Sequence, residues 1–284
     1  SLKLLECEVE TCHKCSGTWE RAEVVTKGVA NVPWPGNPTP RVAEVYGGML
    51  NAVGLQNPGI DLFVERDIPF LKQFDTKIMV NVCGHSTEEY IEVVERLRDQ
   101  PVDLLEINIS CPNVKEGGIA FGQDPKAVEA ITKEMKKHAA QPVIMKLSPN
   151  VTDITEMARA AEAGGADGLS LINTITGMKI DINRQKFVLA NKTGGMSGPA
   201  IHPVAVRMVY QTAQAVRLPI IGMGGIMNAE DAIEMILAGA TAVSVGTANF
   251  TNPHVTEEIV AGIRDYMERY QVADIKDLVG AVHE

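Results

Sequence analysis

The sequence predicts an α/β protein of the (β/α)8 TIM-barrel class, formed by a single domain over residues 1–284, with its active site at the carboxyl ends of the strands. Strand-like and helix-like segments alternate along nearly the whole chain, which indicates parallel strands joined by helical crossovers. Seven strands can be read directly, an eighth is expected within residues 2–18, and 284 residues suit one barrel. The alternative is an open doubly wound sheet, but its G-x-G-x-x-G fingerprint after the first strand is absent.

The first half of the chain supplies three strands and three helices in this prediction. Pro and Gly are too frequent over 29–48 for a helix or a strand, so this stretch is expected to be irregular. Ser86 and Glu89 form a capping-box pattern at the start of one helix, and Pro125 suits the first turn of another. The expected elements are strand 22–26, turn-forming residues 51–59, helix 61–74, strand 77–82, helix 86–99, strand 102–109 and a helix from 124 to about 140.

The second half supplies four further strands. A Gly-Gly pair at 164–165 ends the first helix of this half, and further glycines follow the last two strands. The expected elements are strand 142–147, helix 152–163, strand 167–172, a turn-rich excursion 175–198, helix 199–216, strand 219–223, helix 229–238, strand 242–245 and helices over 255–270 and 273–283.

Composition and charge argue against several classes of protein. The chain is 45% hydrophobic but only 5% aromatic, so a large and mostly aliphatic core is expected. The formal net charge of −10 argues against nucleic acid or an anionic membrane as a partner. No apolar run of membrane-spanning length appears, and acidic residues interrupt the first ten positions, where a signal peptide would be apolar. Five cysteines in 284 residues favour a reducing compartment, so a cytoplasmic location is expected.

Cys7, Cys12 and Cys15 have the spacing C-x4-C-x2-C, which is similar to plant-type iron–sulfur ligation. The fourth cysteine that such a cluster needs does not follow, because the next one, Cys83, lies in an expected strand. Cys12, His13 and Cys15 could bind zinc adventitiously, and the alternative is an irregular, thiol-rich terminus. We expect no metal site, and the six histidines, which lack metal-ligand spacing, are interpreted as ordinary surface or core residues.

Residues 102–122 contain the candidate reactive group. A buried strand runs into Asn108, Ser110 and Cys111, which sets polar side chains and a thiol at the carboxyl end of a strand, where ligands sit in α/β folds. Pro112 fixes one backbone angle after the thiol, and a flexible Gly-Gly pair follows it. The alternative is a buried structural cysteine in a polar turn, but amides are costly to bury without partners.

The other strand ends carry polar residues and glycines rather than core residues. Two lysines inside a mostly apolar barrel need an anionic or electron-rich partner. Glycines after the last two strands predict a phosphate site, because a Cβ would hold the phosphate away from the backbone amides. A cofactor with a phosphate tail and a flat polar ring fits this mouth, and FMN is our expectation. The residues at the strand ends are Lys27, Asn81, Asn108 with Cys111, Lys146, Asn173, Thr174, Gly224, Gly225, Gly246 and Thr247.

The sequence also resembles the catalytic, FMN-containing subunit of class 1 dihydroorotate dehydrogenases. GGIAFG and KLSPNVTDI are more similar to class 1B, the NAD-linked type, than to the fumarate-using class 1A. The resemblance extends from about residue 24 to the end of the chain. Its matching segments are VTKG (25–28), GNPTPR (36–41), NAVGLQNPG (51–59), NISCPNVKEGGIAFG (108–122), KLSPNVTDI (146–154), LINT (171–174), GGMSGPAIHP (194–203), GMGGI (222–226) and VGTANF (245–250).

The resemblance implies oxidation of (S)-dihydroorotate to orotate in pyrimidine biosynthesis. Cys111 would be the base that removes the proton from C5, while hydride from C6 would pass to the flavin. The substrate would be held by Lys27, Asn51, Ala52, Val53, Gly54, Leu55, Asn108, Asn173 and Thr174. FMN would be held by Ser16, Lys27, Gly28, Asn81, Asn108, Lys146, Ile172, Gly198, Gly224, Gly225, Gly246 and Thr247.

The resemblance further implies a partner subunit that carries FAD and a [2Fe–2S] cluster and passes electrons to NAD+, around a homodimeric core within a heterotetramer. The start of the chain departs from the family. Residues 15–18 only partly match a turn of the type A-S-G-T, and the role of Ser16 depends on that match. Two other interpretations stay open: a related flavoprotein of the dihydropyrimidine dehydrogenase type, and a catalytically impaired barrel that serves as a binding subunit.

Overall fold

The computed structural model of the protein describes residues 24–110 and 118–283. The strands in these ranges are short, with two to five residues each. They are β1 (Val24–Val25), β2 (Val42–Val45), β3 (Gly48–Asn51), β4 (Ile78–Val82), β5 (Leu104–Asn108), β6 (Val143–Lys146), β7 (Gly168–Leu171), β8 (Ile175–Met178), β9 (Ile180–Asp181), β10 (Lys186–Phe187), β11 (Thr193–Ser197), β12 (Ile220–Met223) and β13 (Ala242–Ser244).

Seven of these strands form one parallel, curled sheet in the order β1-β4-β5-β6-β7-β12-β13. β4 and β7 are buried along their whole length, as expected for parallel strands that are covered on both faces. The predicted α/β fold with seven parallel strands is therefore confirmed. The eighth strand, expected within residues 2–18, lies outside the described residues.

Helices connect the strands of this sheet. They are α1 (Ile60–Leu62), α2 (Ile68–Leu71), α3 (Thr87–Leu97), α4 (Pro125–His138), α5 (Ile154–Ala163), α6 (His202–Ala215), α7 (Ala229–Leu237), α8 (Ala248–Thr251) and α9 (Val255–Tyr270). A π-helical segment, Phe63–Asp67, joins α1 to α2 within the single helix predicted over 61–74. Short 3-10 segments lie at Gly118–Gln123, Pro199–Ile201 and Ile275–Leu278.

The capping pattern predicted for α3 is present with one difference. The Ser86 hydroxyl accepts a hydrogen bond from the Glu89 backbone N–H at 3.4 Å. The Glu89 carboxylate reaches back to the N–H of His85 at 2.7 Å, one residue earlier than in the usual capping box. Two backbone donors that the helix itself cannot satisfy are thereby paired, which fixes where α3 begins.

The amino ends of two strands are fastened by aspartates that lie just before the next strand. Asp103 accepts hydrogen bonds from the Ile78 N–H and the Lys77 ammonium, both at 2.9 Å. Asp167 accepts one from the Val143 N–H at 2.7 Å. Partial burial raises the pKa of Asp103, but the bonds from Ile78 and Lys77 outweigh it and hold this pKa below its ordinary value.

A second sheet lies beside the parallel one, with the antiparallel order β2-β3-β11-β8. In its register Asn51 of β3 is opposite Gly195 of β11. The two segments are distant in sequence, so local pattern alone cannot reveal their pairing. This sheet carries the turn after β3 and the residues before Pro199 to the same region of the molecule.

Two predictions about secondary structure are wrong. Residues 29–48, expected to hold neither helix nor strand, include β2 and the start of β3. β2 pairs with β3, and β3 pairs in turn with β11, so this sheet stabilises strands that the local sequence does not favour. The helix expected over 273–283 is only the 3-10 turn Ile275–Leu278, capped by the Asp274 carboxylate. Gly280, with a φ of 69°, adopts a left-handed conformation that a continuing helix would exclude.

Within the described ranges, every helix is too short or too polar to span a lipid bilayer.

Candidate active site

The register of the parallel strands brings polar side chains together near their carboxyl ends. Asn81 of β4 is opposite Glu106 of β5, and Asn108 of β5 is opposite Lys146 of β6. Lys146 is in turn opposite Ser170 of β7. Because alternate residues of a strand share a face, Glu106 and Asn108 point to the same side of the sheet. Three predicted strand-end residues, Asn81, Asn108 and Lys146, are thus joined with Glu106 and Ser170 into one polar cluster.

Glu106 lies at the centre of this cluster and is completely buried. Its Oε1 atom accepts a hydrogen bond from the Ser170 hydroxyl at 2.7 Å. Its Oε2 atom lies 3.2 Å from Lys146 Nζ and also accepts a hydrogen bond from Asn81 Nδ2. The carboxylate is therefore paired with a cation and two neutral donors, as a buried charge requires.

A chain of hydrogen bonds runs from Asn81 across the next strand ends. Asn108 Nδ2 donates to Asn81 Oδ1 at 3.1 Å. Asn108 Oδ1 accepts from the backbone N–H of Ser110 at 3.3 Å and from its hydroxyl at 3.0 Å. Asn173 Nδ2 donates to Ser110 Oγ at 2.7 Å, and Asn173 Oδ1 accepts from the Thr174 N–H at 2.7 Å. We call Asn81, Asn108, Ser110 and Asn173 the amide chain.

Lys27 follows β1 and belongs to the same electrostatic environment. Its side chain keeps access to solvent, yet surrounding protein atoms desolvate the ammonium, and this burial together with the Lys146 charge lowers the pKa of Lys27. A site next to two ammonium groups favours an anion, because the negative charge relieves the repulsion between them.

The turn over residues 51–55 is held by Asn37, whose Nδ2 donates to the Ala52 carbonyl at 3.1 Å and whose backbone N–H donates to the Val53 carbonyl at 2.9 Å. Gly54 has a φ of 75°, which glycine adopts without strain. Ala52 is completely buried, and its backbone N–H donates to the Arg41 carbonyl at 2.7 Å, so this residue anchors the turn.

Other members of the predicted site meet this turn. A Cβ on Gly28 would lie 3.1 Å from Leu55 Cδ2 and 3.5 Å from Asn81 Oδ1, so the three residues are close neighbours. Asn51 Nδ2 lies 3.5 Å from the Gly195 carbonyl oxygen.

Glycines with positive φ surround the carboxyl end of β12. Gly198, Gly224 and Gly225 have φ values of 110°, 132° and 72°, which disfavour any side chain. A Cβ on Gly225 would come within 2.7 Å of the Gly198 carbonyl oxygen, and one on Gly224 within 3.4 Å of Ile172 Cγ1. The structure therefore brings together four residues that the sequence assigned to the cofactor.

Gly246 differs from these glycines. Its φ is not in the left-handed region, and apart from its two chain neighbours no described residue comes within 4 Å of a Cβ built on it. Neither backbone conformation nor crowding demands glycine here, so the free space is available to a ligand. Thr247 donates its hydroxyl hydrogen to Ser197 Oγ at 2.8 Å and so ties this end of β13 to Gly198. A small anionic group such as the phosphate of FMN fits this cradle.

His202 supports the same region from behind. Its Nδ1 lies 2.9 Å from the Gly224 carbonyl oxygen, and its Nε2 lies 3.1 Å from a carboxylate oxygen of Glu234. Both partners are acceptors, so both contacts are hydrogen bonds only when the imidazole carries two protons. The ring is buried and fixes the glycine turn to α7.

Two residues of the predicted site, Cys111 and Ser16, lie outside the described ranges, as do Cys7, Cys12 and Cys15. Residues 24–110 and 118–283 contain no group of three His, Cys, Asp or Glu side chains arranged to hold a metal ion.

Sequence reasoning placed Ser110 at this strand end but did not identify Glu106, Ser170 or His202 as parts of the region. A signal existed for Glu106, because a lone carboxylate inside an apolar strand needs a partner when buried. The histidine carried no local signal, since its two partners come from other elements.

Comparison with known proteins supplies the family. The family model described as dihydroorotate dehydrogenase matches residues 7–267. A protein named dihydroorotate dehydrogenase B (NAD(+)), catalytic subunit, from Lachnoclostridium phytofermentans is 72% identical over 91% of this chain and 86% of its own length. Proteins of the same name from Alkaliphilus metalliredigens and Caldicellulosiruptor bescii are 64% and 54% identical, over 91% and 93% of this chain and 86% and 88% of their own lengths.

Proposed function

This chain belongs to the dihydroorotate dehydrogenase family, and from that premise we propose that it oxidises (S)-dihydroorotate to orotate in pyrimidine biosynthesis, as the catalytic subunit of an NAD-linked enzyme. The high identity to catalytic subunits over most of the chain supports this activity. The main structural support is that two lysines, the amide chain and the glycine cradle lie together at one edge of the sheet.

The proposal includes a closed eight-stranded barrel over a single domain, with residues 2–18 supplying the strand that completes the sheet. The curled order of the seven parallel strands supports closure, since β1 and β13 are its two edges. Closure would surround the polar cluster and exclude water from the reacting atoms.

FMN is the cofactor in this proposal. Gly198, Gly224, Gly225, Gly246 and Thr247 would bind its phosphate, and the open space at Gly246 supports this assignment. Its ring would be held by Ser16, Lys27, Gly28, Asn81, Asn108, Lys146 and Ile172. When bound, FMN accepts the hydride that leaves C6 of the substrate.

Lys27 and the amide chain would bind the substrate. The Lys27 ammonium suits the substrate carboxylate, and Asn108, Asn173 and Thr174 offer both donors and acceptors to a pyrimidine ring that carries both. The turn over 51–55, anchored by the buried Ala52, would close over the ring.

Cys111 would act as the base. Its thiolate takes the proton from C5 while the C6–H bond gives up a hydride, so that a C5–C6 double bond forms and two electrons leave the substrate. A cysteine is suited to this step because a free thiol has a pKa of about 8.5 and is partly ionised near neutral pH. Ser110, fixed within the amide chain, immediately precedes it in the sequence.

A partner subunit would carry the electrons onward to NAD+, and the words "catalytic subunit" in the names of the relatives support its existence. Its FAD and [2Fe–2S] cluster, the homodimeric core of a heterotetramer and the cytoplasmic location are parts of the same proposal.

The test is anaerobic mixing of the purified protein with dihydroorotate while the visible flavin absorbance is followed. Rapid bleaching, followed by recovery when an electron acceptor is added, is the expected result. A yellow protein that bleaches with dihydrouracil but not with dihydroorotate would replace the proposed substrate. A colourless protein that takes up no added FMN would refute the cofactor assignment.

A further inference from the structure

Glu106 has no part in the function proposed above, yet it is the only acidic side chain among the buried residues of the described chain. It lies on β5, between the strands that carry Asn81 and Lys146. Replacing a buried ion pair by apolar residues is often neutral or stabilising, so stability alone does not account for a carboxylate at this place. Its position beneath the strand ends suggests a role in the site itself.

The carboxylate sets the direction of every amide above it. A carboxylate only accepts hydrogen bonds, so Asn81 must turn its Nδ2 toward Glu106 and its Oδ1 toward Asn108. Asn108 must then donate to Asn81, which leaves its Oδ1 to accept from Ser110. An acceptor at the start of the chain therefore decides which atom each following amide presents.

The same carboxylate also sets the charge of the site. Lys146 Nζ lies 3.2 Å from Glu106 Oε2, and the lysine side chain is only 16% exposed. A buried pair of this kind holds the ammonium in one place and offsets its charge. Without the carboxylate, the net charge next to the proposed flavin ring would be more positive by one unit.

We propose that Glu106 is a positioning residue, which orients the amide chain for the substrate and holds Lys146 beside the flavin through the contacts described above. The inference rests on the proposed function, because that function assigns the ligands of Asn81, Asn108, Lys146 and Asn173.

Glu106→Gln tests the effect of charge. The introduced carbonyl can still accept from Asn81 and Lys146, and the Ser170 hydroxyl can rotate to accept from the introduced NH2 group, so the amide directions are kept. We expect the midpoint potential of the bound FMN to become more positive, because the charge of Lys146, no longer offset by a carboxylate, stabilises the negative charge of the reduced ring. An unchanged potential would overturn the electrostatic part of the proposal.

Glu106→Leu tests orientation, because it removes the acceptor and frees the Asn81 amide to flip. We expect orotate to bind about tenfold or more weakly, the usual effect of one lost hydrogen bond to a charged ligand. The change that orotate causes in the flavin spectrum measures its binding. Ser110→Ala breaks the chain further along and covers the case in which Glu106→Leu does not fold. Wild-type orotate affinity in the folded variants would overturn the orienting role.

Asp103→Asn is the matched control, since Asp103 precedes the same strand and also pairs with a lysine, but at the opposite end of the sheet. It should leave both the potential and the orotate affinity unchanged. The two proposals can fail separately. If the wild-type protein binds FMN and is bleached by dihydroorotate, the proposed function stands. If the Glu106 variants then behave like wild type, only the positioning role of Glu106 is overturned.

Discussion

Asn173 Nδ2 donates a hydrogen bond to Ser110 Oγ at 2.7 Å and so joins the residue after Ile172 to the residue before Cys111. The two partners come from different strands of the parallel sheet, and each lies next in sequence to a residue assigned to the reaction. In the proposed function, this hydroxyl group would link substrate binding by Asn173 to proton removal by Cys111, the residue after Ser110 in the sequence. The predictions below test this site residue by residue.

Cys111→Ala should lower turnover of dihydroorotate by about 10²–10⁴-fold, the usual contribution of a general base, and leave FMN bound. Cys111→Ser should keep a little activity that rises with pH, because a hydroxyl is far harder to ionise than a thiol. Steady-state rates and the flavin spectrum of each variant provide the measurement. An alanine variant that turns over like wild type would eliminate Cys111 as the base.

Gly246→Ala should fold normally and bind FMN about tenfold or more weakly. The backbone tolerates the new methyl group, which fills the space proposed for the phosphate and costs one charge-assisted hydrogen bond or more. Thermal unfolding of the apoprotein and titration with FMN separate the two effects. Riboflavin, which lacks the phosphate, is the control ligand, and equal losses for both flavins would contradict a phosphate cradle.

The lowered pKa of Lys27 predicts how orotate binding depends on pH. The ammonium loses its proton at a lower pH than the ordinary lysine value of 10.5, so affinity for the anion should fall as the pH rises through this lowered pKa. The stability of the ligand-free protein depends on pH in the opposite direction. The unfolded chain binds the Lys27 proton more tightly than the folded one, so the contribution of this residue to the free energy of unfolding rises as the pH increases from the lowered pKa to the ordinary one. Lys27→Met should abolish the alkaline loss of orotate affinity, whereas Lys186→Met, at an exposed site on β10, should preserve it.

Asp103→Asn should lower the free energy of unfolding by about 1 kcal/mol at neutral pH, because the bonds to Ile78 and Lys77 are weakened. The pKa of Asp103 is lowered in the folded state, so its contribution is present above the unfolded pKa and is lost as the pH falls through the folded one. Denaturant unfolding of both proteins at several acidic pH values is the measurement. The difference between them should vanish in acid, and a constant difference would argue against an ionised Asp103.

His202→Phe replaces the imidazole with a somewhat larger apolar ring and removes both polar contacts. We expect FMN to bind more weakly, since the Gly224 turn loses its support, and unfolding to cost about 1–2 kcal/mol less. Glu234→Gln, which alters only the outer partner of the histidine, should retain wild-type FMN affinity. Were both variants to bind FMN equally well, His202 would be a core residue only.

The parallel sheet was predictable because its strands are apolar runs and its helices carry local signals. Ser86, Asp124 and Pro125 lie where the caps of α3 and α4 are found. The polar strand ends could also be identified, because parallel strands place their carboxyl ends at one edge of a sheet, and the register brings Asn81, Asn108 and Lys146 together there.

The remaining features depend on contacts that no local pattern contains. β2 pairs with β3, and β3 pairs with the distant strand β11; the role of His202 likewise depends on its contacts with Gly224 and Glu234. Glu106 was overlooked because a single charge in an apolar strand is easily taken for an interruption. Its role depends on three donors from three other strands, which lie far from it in the sequence.

The antiparallel sheet also constrains the order of events during synthesis. Asn51 meets Gly195, 144 residues later in the chain, so a ribosome completes β1 to β7 well before β11 exists. A nascent chain at that stage lacks one side of the mouth and the glycine cradle that follows. If the proposed cofactor site is correct, FMN would bind only after the carboxyl-terminal third of the polypeptide is made, and incomplete strand pairing of this kind favours aggregation during folding.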